Sequence, residues 1–293
     1  MLHRAARLVS FAVRRLPLSV ARLVGRFLGH LGWHLLRRER RKALANIAIA
    51  FPDWNGARRA ATIRAMFHHL GVSLAEILWL PNVDVAARDR TTTTEGVEPL
   101  LEVLRAGRGL IMITAHCGNW EWMAYAFALF GGPLSVLQRE RDEAELNRLI
   151  TEIRAQAGIR TIDRGSTGAA RQMIQALRGG GALAFLIDQS VRVESVQVPF
   201  FGRNALTPIG PARLAIRTAT PIVLCFIERR HGHQFISFQP VIETARGDDP
   251  IALTARLTAG IEAQIRRVPE QWVWMHDRWR ERPEWDVTGR KSE

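Results

Sequence analysis

LIMITAHCGNWEW, residues 110–122, is the stretch on which the fold turns. Its first five residues form an apolar run of strand length. Gly118 then permits a tight turn, Asn119 is suited to cap a helix, and the residues from Asn119 to about Leu129 read as that helix. The stretch is therefore strand, turn, helix. It sets a histidine, His116, at the end of the strand and an acid, Glu121, five positions later.

Working outward, the alternation repeats. LSVLQ (134–138) leads to a helix from about Glu143 to Gln156, and ALAFLI (182–187) follows a helix near 167–178. PIVLCFI (221–227) follows a helix near 209–218, FISFQP (235–240) reads as its antiparallel neighbour, and a last helix covers about 250–267. Upstream, one helix ends near Phe51-Pro52 and another runs from about Asn55 to Leu80, halted by Pro81. The pattern predicts an α/β fold, a mixed, largely parallel sheet flanked by helices. Ligands of such sheets bind outside the carboxyl ends of strands. His116 and Asp188 both fall just past a strand.

At 293 residues and 33.0 kDa the chain suits one large α/β domain with a helical appendage. The spacing divides it into a basic segment at 1–42, a helical lead-in at 43–90 and an α/β domain at 91–285. Cys117 and Cys225 lie in or beside strand-like runs. They give no disulfide framework and no metal-ligand spacing.

The net charge is +13. Residues 1–42 hold eleven basic residues against one acid, Glu39, so that segment carries +10 and the other 251 residues only +3. At 100° per residue, Arg4, Arg7, Arg14, Arg15, Arg22 and Arg26 share a 120° arc. Most of the large apolar residues lie opposite, and Pro17 interrupts the helix. No stretch approaches 18 residues without a charge, which argues against a spanning helix. A signal peptide would need an unbroken apolar region and a small-residue cleavage site. A nucleic-acid arm would not need Phe11, Val13, Phe27, Leu28, Leu31 and Trp33. The segment reads as a helix lying on an anionic membrane surface, or as an ordinary packed helix.

His116 and Glu121 can form a pair in which the carboxylate fixes the imidazole tautomer and the other ring nitrogen deprotonates a hydroxyl. Taken alone, they are equally a turn residue and an acid favoured by the helix dipole. A Cys117 nucleophile is disfavoured because neighbouring side chains diverge. His68-His69 and His231/His233 lack a third metal ligand, and no HExxH or CxxC occurs.

HCGNWE resembles the signature block of the glycerolipid and lysophospholipid acyltransferase superfamily. Within it the chain is similar to the lipid A biosynthesis acyltransferases, with the mycobacterial phosphatidylinositol mannoside acyltransferases as near relatives. RRERRKALANIAIAFP (37–52), Arg139 followed by Arg154, LIDQ (186–189), VPFFGRNALTPIGPARLAIRTATPIV (198–223) and PEQWVWMHDRWRERPE (269–284) complete the likeness in order.

The resemblance implies direct acyl transfer from an acyl carrier protein or coenzyme A thioester to a hydroxyl of an anionic glycolipid, with no metal and no cofactor. His116 would be the base and Glu121 its orienting acid. Arg154 and Arg139 would bind the oxyanion or an acceptor phosphate, with Asn119 in the same substrate-facing group. Asp188 would support them. The resemblance also implies residence on the cytoplasmic face of a bacterial inner membrane, held by the N-terminal segment, and no nucleic-acid partner. Two stretches stay open. PFFGRNALTPIG lines an acyl groove or packs as a connector, with Thr207 capping the next helix, and Arg278 or Arg280 faces acidic lipid or carrier protein.

Overall fold

The computed structural model describes residues 9–138 and 144–280. Seven strands form the main sheet: β1 (Thr92–Glu95), β2 (Leu110–Thr114), β3 (Leu134–Gln138), β4 (Arg160–Asp163), β5 (Ala182–Leu186), β8 (Ile222–Arg230) and β9 (His233–Phe238). They lie in the order β1-β9-β8-β2-β5-β3-β4. Every neighbouring pair is parallel except β8 with β9. A separate antiparallel hairpin joins β6 (Ser195–Phe200) to β7 (Arg203–Pro208).

The expected mixed, largely parallel sheet is therefore present. Residues 110–113 of LIMIT are all apolar because both sheet faces are covered. Ile111 and Ile113 enter one core with Leu257, Ile261 and Trp272, while Leu110 and Met112 enter the other with Trp122 and Phe127. Period-two alternation thus feeds two cores from one strand. β1 carries only threonines and an acid and so shows no apolar signal; it is fastened by Trp122 Nε1 donating to Thr92 Oγ1 at 2.9 Å.

At the N-terminus, residues 9–14 are helical and Pro17 breaks the run before α1 (Leu18–Leu35); α2 (Arg37–Ala50) and α3 (Gly56–Trp79) follow. Asn55 caps α3, its side chain accepting from the Arg58 amide at 2.8 Å. α1 turns its small face, Ala21, Gly25 and Gly29, onto α3. A Cβ at Gly25 would stand 2.5 Å from Gly71 O, and one at Gly29 2.3 Å from Phe67 O. The two backbones touch, and glycine alone allows it. The opposite face of α1 is an apolar stripe: Leu23 is 67% exposed, Phe27 60% and Leu35 73%. Arg22, one of the arginines that share an arc of the wheel, turns inward to Glu76 at 2.8 Å. Among the described residues no helix is long and apolar enough to cross a membrane.

The remaining helices are, in chain order, α4 (Val85–Thr91), α5 (Glu98–Arg105), α6 (Trp120–Ala128), α7 (Ala144–Gln156), α8 (Ala169–Arg178), α9 (Gly210–Thr218) and α10 (Pro250–Arg267), of which α6 to α10 each contribute to the site.

Candidate active site

The chain leaves β2 at Thr114 and turns through Ala115 to Asn119 before α6 starts. Gly118 takes φ +70°, and a Cβ there would lie 2.0 Å from Ile227 O, so the turn presses on β8. Asn119 caps α6 by accepting from the Trp122 amide at 3.1 Å. The closing segment runs alongside the turn. Val273 N donates to His116 O at 3.0 Å, Gly118 N donates to Gln271 O at 2.9 Å, and Cys117 bridges Trp272. Asn46 on α2 holds the far side of that segment, its Nδ2 donating to Trp274 O at 2.8 Å and His276 O at 2.6 Å. Two stretches more than two hundred residues apart are thereby joined.

Thr114 faces Leu186 across the parallel β2–β5 pair. Two residues further on each strand stand His116 and Asp188. His116 Nδ1 lies 2.8 Å from Asp188 Oδ1, and His116 N and Trp272 Nε1 both donate to Asp188 Oδ2, at 2.9 and 2.7 Å. Burial alone would push the Asp188 carboxyl up; the His116 ring and these donors outweigh it and bring it to about 2. An ionised carboxylate only accepts, so Nδ1 carries a proton, and the neutral ring in this tautomer has its lone pair on Nε2. The imidazole edge packs against Trp120, centroids 4.9 Å apart, and faces the His276 ring at 5.8 Å.

The expected partner of His116 was Glu121, and here the structure corrects the reading. Glu121 is gripped by Arg154 of α7, with Nε to Oε2 at 2.8 Å and Nη2 to Oε1 at 2.5 Å. Arg154 Nη1 donates to Gln138 Oε1 at 2.8 Å, and Gln138 Nε2 donates to Asp163 Oδ1 at 3.1 Å. The first turn of α6 carries Glu121 toward α7, while strand register delivers Asp188 to the imidazole. His116, Glu121 and Arg154 still line one cleft.

Asn119 does not join them as a substrate contact. It is buried, its oxygen caps α6, and its Nδ2 donates to Glu76 Oε2 at 2.9 Å. Arg139 lies outside the described residues. Cys117 and Cys225 are buried free thiols, and burial pushes both well above the ordinary thiol range; neither is a nucleophile. Among the described residues no three His, Cys, Asp or Glu side chains gather to hold a metal ion.

Thr207 caps nothing. It lies in β7, and its Oγ1 accepts from Arg278 Nη2 at 2.6 Å. PFFGRNALTPIG is the β6–β7 hairpin, mostly a packed connector. Phe200 and Phe201 sit against Trp272 and Trp274 at 5.9 and 6.1 Å, and Pro208 and Gly210 reach the cleft. Arg278 is fully buried beneath it, over the Phe200 ring, with burial lowering its pKa to about 10. Only Arg280 of that pair opens on the cleft.

The cleft measures about 1750 Å³ and mixes two linings. Leu137, Ile150, Met173 and Phe185 supply apolar wall; Arg192, Arg217, Arg246 and Arg280 supply cationic rim. It admits a molecule that is long, apolar and negatively charged at some point.

A model of the family described as bacterial lipid A biosynthesis acyltransferase matches residues 5–281. The chain is 27% identical over 285 residues to the lipid A biosynthesis lauroyltransferase of Escherichia coli K12, covering 94% of this chain and 90% of that one. It is 26% identical over 282 residues to a phosphatidylinositol mannoside acyltransferase of Mycobacterium tuberculosis, covering 93% and 84%. It is also 26% identical over 278 residues to the lipid A biosynthesis palmitoleoyltransferase of Escherichia coli K12, covering 92% and 88%.

Proposed function

Because this chain belongs to the bacterial lipid A biosynthesis acyltransferase family, we propose that it transfers a fatty acyl chain from a carrier-protein or coenzyme A thioester to a hydroxyl of an anionic glycolipid, with His116 as base. The observation that carries the reading is the His116–Asp188 pair at 2.8 Å, opening on a cleft both apolar and arginine-rimmed.

His116 Nε2 takes the hydroxyl proton as the oxygen attacks the thioester carbonyl. Asp188 holds the tautomer and stabilises the imidazolium. The tetrahedral intermediate collapses with loss of the thiolate, which recovers the proton from the imidazolium, giving ester and thiol. Arg154 uses three of its five N–H groups on Glu121 and Gln138; the other two are available to an oxyanion or a phosphate. Glu121 aims the guanidinium.

The acceptor we favour is a lipid A precursor, after the activities for which two of the relatives are named. A mannosylated phosphatidylinositol is the second reading, supported by the relative that carries that name. The apolar stripe of α1, followed at once by Arg37, Arg38 and Arg41, would rest on the cytoplasmic face of the inner membrane.

The test is mass spectrometry of lipids after the purified protein has met an anionic glycolipid extract with either donor. One glycolipid should gain one acyl mass, and only when His116 is intact. Equal gain with His116→Ala would reject the assignment.

A further inference from the structure

Glu76, on α3, is a fully buried carboxylate that plays no part in the chemistry above, yet five side-chain donor atoms converge on it. Arg22 Nε from α1 and Arg229 Nε from β8 reach Oε1 at 2.8 and 3.0 Å. Arg229 Nη2, Asn119 Nδ2 and Gln234 Nε2 reach Oε2 at 2.5, 2.9 and 3.0 Å. Arg229 also spans to His69 Nδ1 at 2.8 Å and to Ser73 Oγ at 2.9 Å. A buried anion survives only with such compensation. Burial pushes the Glu76 carboxyl up, and Arg229, Arg22 and Asn119 together bring it below its ordinary value.

Two of these donors stand at places of consequence. Asn119 lies between His116 and Glu121, in the turn that fixes both. With one end of its amide on Glu76 and the other on the Trp122 amide, it is locked in a single orientation. Arg22 lies on the helix with the exposed apolar stripe, on the flank turned into the protein.

We propose that Glu76 is a positioning residue for the reactive turn, and that α1 completes it by supplying Arg22, so that the helix with the apolar stripe is part of the active-site support. The claim rests on the acyl-transfer reading for its kinetic arm only.

The experiment uses the full chain with Arg22→Ala and Arg22→Lys. Three quantities are read: kcat and KM with a detergent-dispersed glycolipid acceptor, flotation with phosphatidylethanolamine–phosphatidylglycerol vesicles, and amide hydrogen exchange of peptides spanning 115–125. Arg22→Ala should lower kcat by roughly tenfold to a hundredfold, as a small misplacement of a reacting group does. KM and flotation should stay near wild type, 115–125 should exchange faster, and Arg22→Lys should recover most of kcat and of the protection.

Unchanged kcat and unchanged exchange in Arg22→Ala would overturn the proposal. So would loss of flotation in step with kcat while exchange stays as in wild type, since that makes Arg22 an anchor residue. Glu76→Gln keeps the acceptor for Asn119 and removes the charge that holds Arg22; folded and fully active, it too would reject the claim. If wild type transfers no acyl group to any acceptor, the functional reading fails and the exchange arm still decides this one.

Discussion

His116 and Asp188 each stand two residues beyond Thr114 and Leu186, which face one another across the parallel β2–β5 pair. Their meeting is a matter of register: equal offsets from paired strand ends bring two side chains to one point at the sheet's carboxyl edge.

Asp188→Asn should therefore disable the base without disturbing the fold. An asparagine can present its NH₂ to Nδ1 and favour the wrong tautomer. A fall in kcat of about 10³-fold or more, with KM little changed, is expected from steady-state kinetics. Activity within tenfold of wild type would return the orienting role to Glu121.

Arg154→Ala should destabilise the protein, because Glu121, 6% exposed, loses the guanidinium that compensates it. The cost expected from chemical denaturation is about 3 kcal/mol. Adding Glu121→Gln to the Arg154→Ala chain should recover part of it, which a double-mutant cycle measures. Strict additivity would deny the pair any coupling.

Acid should weaken the fold well before carboxylates titrate. Burial first, and then the Arg229 cation beside it, push the His69 ring from 6.5 down to about 3. A histidine with a lowered folded pKa contributes fully above 6.5, and its contribution drains away as pH falls toward 3, because the unfolded chain binds the extra proton. Stability should drop by about 1.4 kcal/mol per pH unit in that window from this ring. His68, also lowered by burial, adds to the same slope. His69→Gln should flatten the curve between pH 6 and 4; an unchanged slope would show that His69 is not the group responsible.

Charge placed on the apolar stripe should detach the protein from lipid and spare its core. Leu23→Glu with Phe27→Glu alters two residues already 67% and 60% exposed. Vesicle flotation should be lost while the melting temperature moves by no more than a degree or two. Full retention on vesicles would place the lipid contact elsewhere.

Much of this was legible from residues. LIMIT, LSVLQ and ALAFLI announce strands by apolar runs that two covered faces require, and Asn119 marks its helix by capping chemistry. The partner of His116 was not legible. Glu121 was near in sequence, whereas Asp188 is near only because β2 lies beside β5, an adjacency that local pattern does not contain. The inward partner of Arg22 was hidden for a related reason. A helical wheel sorts residues by angle, but the seam with α3 is made by glycines, which a search for large apolar side chains passes over.

Those glycines also bear on how the molecule could be handled. Cutting off α1, with its exposed apolar stripe, is an obvious way to shorten the chain. Here the cut would uncover a trench in α3 walled by the Phe67 ring and Ala75, against which Gly25, Gly32 and Trp33 now pack. Such a surface is shaped to receive another helix and unsuited to water. A shortened chain would seek a substitute, from detergent or from its neighbours, and a cut made for a better-behaved sample would yield a stickier one.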